Sequence, residues 1–161
     1  TDAFLGLASL TLLGLNDNPL LRDIEPHAFR GLASLAELSL RGTRVEWLRA
    51  DTFAGLARLT VLNLVHCPLR EIAVDAFRGL AAVTDLNFYL LRAEEEVVLH
   101  AGSFRGLTAL RRLDLSTNPI ESIEPGTFDG LARLTELLVC GSFVQVVCAE
   151  AGGGVDQLAA L

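Results

Sequence analysis

The chain has 161 residues and a formal net charge of −7, and its 13 basic residues are all arginine. That balance argues against nucleic acid as a default partner, because phosphate binding needs clustered positive charge. Hydrophobic residues make up 51 % and charged residues 20 %, so a large core can form and disorder by composition is excluded.

In chain order, the first marker of a repeat is phenylalanine, at Phe4, Phe29, Phe53, Phe77, Phe104 and Phe128, in steps of 25, 24, 24, 27 and 24 residues. Glycine follows two positions later and leucine one further, from Gly6-Leu7 through to Gly130-Leu131. Next comes an apolar triplet: Leu10-Leu13-Leu15, Leu35-Leu38-Leu40, Leu59-Leu62-Leu64, Val83-Leu86-Phe88, Leu110-Leu113-Leu115 and Leu134-Leu137-Val139. Its second half alternates with a period of two, which predicts a short strand in each repeat, centred near Leu13, Leu38, Leu62, Leu86, Leu113 and Leu137. Asn18-Pro19, Cys67-Pro68 and Asn118-Pro119 close the strands, since proline fixes φ and donates no amide proton. Gly154, Val155, Leu158 and Leu161 continue the columns, so a seventh repeat begins without its phenylalanine.

One such repeat cannot bury its apolar side, whereas stacked repeats can. The pattern therefore predicts a right-handed solenoid with one parallel sheet, roughly 29 Å across at ~4.8 Å per strand. The return limbs should be loops and short turns rather than long helices, because proline, glycine and an inward phenylalanine interrupt them. No apolar run reaches the ~18 residues of a membrane span, and no signal peptide pattern opens the chain at Thr1.

With its recurring A/T-F-x-G-L and L-x-x-L-x-L-x-x-N-x-L, the unit resembles the 24-residue leucine-rich repeat of extracellular animal proteins. Toll-like receptor ectodomains and small leucine-rich proteoglycans carry this type, and the resemblance runs over nearly the whole chain. It implies an α/β class horseshoe: a leucine-rich-repeat solenoid with one parallel β-sheet on the concave face and a loop and short-turn convex side. It also implies an extracellular, non-enzymatic recognition module, part of a receptor or adhesion ectodomain, that binds a protein ligand or neighbouring subunit. Nucleic acid, cofactor and membrane contact by this segment are not expected. A structural scaffold subunit of an extracellular matrix is the alternative.

The asparagine column reads Asn18, Thr43, Cys67, Leu91, Asn118 and Ser142. In the family this side chain lies inside and hydrogen-bonds the backbone of adjacent turns; Thr, Cys and Ser replace it in part, and Leu91 does not. The longer fourth repeat places three extra residues between Leu91 and Leu99, in a loop holding Glu94, Glu95 and Glu96. A solvated bulge is the first reading of that loop and a partner contact the second; three consecutive carboxylates do not converge on one metal ion. Cysteine occurs three times, so no disulfide framework is expected. Cys67 reads as a buried thiol, while Cys140 and Cys148 fall on different sides of a regular coil. His27, His66 and His100 form no nucleophile–base pair that the repeat assembles, so no catalytic site is expected.

The residues between the strand leucines face outward together. Repeats three and four carry the most apolar and aromatic part of that face, which is an interface composition. The candidate ligand-binding set is Arg41, Val61, Asn63, Val65, His66, Asp85, Asn87, Tyr89, Leu90, Arg112 and Asp114. Trp47, between the core positions Val45 and Leu48, is expected partly packed on a flank, with a partner contact as its second reading. Leu5, Leu7 and Leu10 at one end and Val155, Leu158 and Leu161 at the other would face water. The expectation is therefore a fragment of about six repeats plus the start of a seventh, over residues 1–161 and without terminal caps.

Overall fold

The computed structural model describes residues 3–88 and 97–139. Within them lie ten short strands: β1 (Leu12–Gly14), β2 (Glu37–Ser39), β3 (Trp47–Leu48), β4 (Val61–Asn63), β5 (Glu71–Ile72), β6 (Asp85–Asn87), β7 (Val97–Leu99), β8 (Arg112–Asp114), β9 (Ile120–Ile123) and β10 (Glu136–Leu138). Six of them form one parallel sheet in the order β1-β2-β4-β6-β8-β10. Their central leucines are in register, Leu13 opposite Leu38, then Leu62, Leu86, Leu113 and Leu137. The strand centres are those predicted from the leucine columns, and no helix occurs among the described residues.

One sheet was the expectation; the structure adds two smaller parallel ladders on the return limbs, β3 with β5 and β7 with β9. Coils aligned by the sheet also bring these limbs side by side, so their backbone groups pair rather than stay open. The amide of Arg70 donates to the Glu46 carbonyl at 2.8 Å and that of Glu124 to the Leu99 carbonyl at 2.9 Å. A register shift between Val97 and Val98 follows the 27-residue repeat.

The core is a set of columns. Phe4, Phe29, Phe53, Phe77, Phe104 and Phe128 stack in sequence with ring centroids 5.8–6.0 Å apart. Phe88, where other repeats carry leucine or valine, sets its ring edge-on to Phe77 and Phe104 at 6.2 and 6.0 Å. The residue before the phenylalanine is a buried hydroxyl in three repeats: Thr52 donates to the Arg49 carbonyl, Ser103 to that of Ile72 and Thr127 to that of Leu99. A buried hydroxyl needs a partner, and a backbone carbonyl supplies it in each case. Gly106, at φ 104°, is required by close approach, since a Cβ there would sit 2.5 Å from the Phe77 carbonyl oxygen of the preceding coil.

At the first coil, Leu5 and Leu7 are exposed, as the pattern expects, and Leu10 is half-buried against the core. Cys140, Cys148, Leu91, Glu94, Glu95, Glu96 and the columns from Val155 to Leu161 lie outside the described residues.

Candidate ligand-binding face

Alternation along each strand sends the central leucine inward and its two neighbours outward. In-register pairing then turns the outward positions into rows. The first row is Leu12, Glu37, Val61, Asp85, Arg112 and Glu136; the second is Gly14, Ser39, Asn63, Asn87, Asp114 and Leu138. Of the expected set, Val61, Asn63, Asp85, Asn87, Arg112 and Asp114 therefore share one patch over three adjacent strands. Arg41, Val65 and His66 follow the strands, and the amide of Gly42 donates to the Val65 carbonyl at 3.0 Å, which holds the two coils together there. Tyr89 and Leu90 lie outside the described residues.

Several of these side chains have structural duties. Asn63 Oδ1 accepts the amide of Val65 at 3.0 Å, and Asp114 Oδ1 accepts that of Ser116 at 3.0 Å. The second row thus closes the turn after each of these strands. Asp114 is only 7 % exposed, so it reaches a ligand less readily than Asp85, which is open. Its other oxygen, Oδ2, lies 3.1 Å from Arg112, whose Nε is 3.2 Å from Glu136. Burial acts against the Arg112 charge, but these two carboxylates outweigh it and its pKa is raised. His66 sits at φ 63°, in the column that also holds Asp17 at 54° and Thr117 at 58°, and is half-buried.

Of the row residues outside the candidate set, Glu37 and Glu136 bear most directly on its charge. Glu37 flanks Val61 on the side away from Asp85, and Glu136 anchors Arg112. Both occupy the position just before the central leucine, so the column itself carried the signal. The middle of the face is an exposed valine between two open carboxylates, followed by an arginine whose charge is balanced locally. Among the described residues no group of three His, Cys, Asp or Glu could hold a metal ion.

A stack of in-register coils presenting one open sheet face is a repeat scaffold of the recognition class. A family model described as "Leucine rich repeat" matches residues 1–45 and 91–159, well over half of the sequence. The chain belongs to the leucine-rich-repeat family. No curated protein matches it. Among solved structures 132 chains match, so the fold by itself selects no ligand. One is described as "Crystal structure of TLR13-ssRNA13 complex", with a TM-score of 0.61 and 27 % identity, over 84 % of this chain and 22 % of that one. The chain resembles a Toll-like receptor ectodomain and spans 22 % of the length of that receptor chain.

Proposed function

We propose that this chain is a non-enzymatic recognition segment of an extracellular receptor or adhesion ectodomain, and that it binds a protein ligand on its concave face. The observation that carries the reading is the row Glu37, Val61, Asp85, Arg112, held in register on a preformed sheet. Strands already ordered lose little entropy on binding, so a modest patch is enough for specificity. Val61, Val65 and His66 form its centre, with Arg41, Asp85 and Arg112 at the rim.

Single-stranded RNA is the second reading, favoured by the ssRNA13 of the similar Toll-like receptor complex. The net charge of −7 and the open carboxylates of Glu37 and Asp85 weigh against it. The test presents the chain to a panel of purified secreted and cell-surface ectodomains and to a single-stranded RNA oligonucleotide. Wild type is compared with the double variant Val61→Glu, Asp85→Arg. A protein ligand whose affinity falls at least about tenfold in the variant supports the reading. A ligand bound equally by both moves the site off this face, and saturable RNA binding overturns the choice of partner.

A further inference from the structure

Trp47 lies off the concave sheet, on the β3–β5 ladder, directly opposite Glu71. The residue is 39 % exposed. Together with Leu48, Arg49, Glu71 and Ala73 it lines a cleft of about 270 Å³. The charges at this cleft are unequal. Arg49 is held by Asp23 at 2.8 Å and faces Glu25 at 3.8 Å. Close by, Glu46 is paired with Arg70 at 3.2 Å. Glu71 is exposed and has no ion pair among the described residues.

The cleft therefore offers an aromatic wall, a little aliphatic surface from Ala73 over the buried Leu48, and one uncompensated carboxylate. An anion would meet that carboxylate, while the local cation is already turned to two others. A neutral apolar group would cover the indole but strip water from Glu71 without replacing it. A cation satisfies both, by lying over the indole and hydrogen-bonding the carboxylate. A guanidinium suits the cleft better than an ammonium, since its plane stacks while its edge donates. We propose that the Trp47–Glu71 cleft binds an arginine side chain of a polypeptide partner, as a flank contact separate from the concave face.

Trp47 is the sole tryptophan of the chain, so its fluorescence reports on this cleft alone. The whole chain is titrated with Nα-acetyl-arginine amide up to about 100 mM, well above the millimolar range of weak single-residue binding. Nα-acetyl-citrulline amide, the same shape without the charge, is the control. The expected result is a saturable change with the arginine probe and no matching change with citrulline. Glu71→Gln should weaken the response about tenfold, because a charge-assisted hydrogen bond is lost. Glu71→Ala should do the same, with circular dichroism reporting that both variants keep the fold. No saturable change, an equal response to citrulline, or full affinity in the folded Glu71 variants would each overturn the proposal. None of these outcomes depends on whether the concave face binds a ligand.

Discussion

At Cys67 a thiol stands where Asn18 and Asn118 carry amides. Those amides donate to carbonyls three residues back in their own coils, Asn18 to Leu15 and Asn118 to Leu115, each at 2.8 Å. Cys67 reaches the preceding coil, where its Sγ donates to the Leu40 carbonyl at 3.1 Å and lies 3.4 Å from the Thr43 hydroxyl. Burial raises the thiol pKa, and the Thr43 hydrogen bond offsets only part of the rise. In the unfolded chain the thiol ionises near its ordinary value of 9.0, whereas in the fold it stays neutral longer. The stability tied to this group is therefore fully present below pH 9.0 and is lost as pH rises from there through the folded value. Urea unfolding should show that loss in wild type and not in Cys67→Ala, which should also be about 1–3 kcal/mol less stable at neutral pH. Alkylation of the Cys67 peptide, followed by mass spectrometry, should proceed only on unfolding. The column position made this burial legible in the sequence. So was a bond to the backbone of a neighbouring coil, which the asparagine column of the family implies; the Leu40 carbonyl and the Thr43 hydroxyl as the particular partners were not, because the repeat pattern names no individual acceptor.

The phenylalanine stack is the element whose energetics are most direct. Phe53, Phe77 and Phe104 are fully buried and each meets a ring on both sides, whereas Phe128 is only partly buried. Phe77→Ala should cost about 3–5 kcal/mol in chemical denaturation, and Phe128→Ala clearly less. A loss under about 1 kcal/mol for Phe77→Ala would contradict its burial. This spine could be read from a spacing of 24 residues, as could the strands, because inward columns are carried by residue type. The edge-on packing of Phe88 could not, since its place in a leucine column predicts burial but no geometry. The flank ladders escaped the sequence for a related reason. Their pairing rests on backbone groups, which leave no mark in side-chain pattern; the alternation there is only two residues long in Trp47–Leu48 and Glu71–Ile72. On the sheet face the rows were legible, yet nothing in the pattern revealed that Asn63 and Asp114 close turns or that Arg112 is already paired.

For the molecule as a whole, each coil contacts mainly its neighbours, so opening is expected to be local and graded rather than uniform. Leu38, Leu62, Leu86 and Leu113 are buried, while Leu13 and Leu137 in the first and last strands of the sheet are half-buried. Hydrogen exchange on the 161-residue chain should show the amides of β4 and β6 protected longest, with Leu15, bonded to Ser39, exchanging earlier. Equal protection across all six strands would indicate a single cooperative unit.

The register between β6 and β8 bears on which length changes the chain can accept. Three residues more than the usual step separate Phe77 from Phe104, yet Asp85 still faces Arg112 and Leu86 still faces Leu113. The surplus is absorbed between the strands. One residue added inside a strand would instead turn the inward side chains beyond it in that strand to the outside. Insertions and deletions are thus filtered by position: the return limbs can grow or shrink while the grid of outward side chains keeps its spacing. A library of short peptide insertions should accordingly yield folded proteins when the break falls between Leu91 and Val97, where the surplus residues of this repeat lie, and misfolded ones when it falls between Asp85 and the buried Phe88.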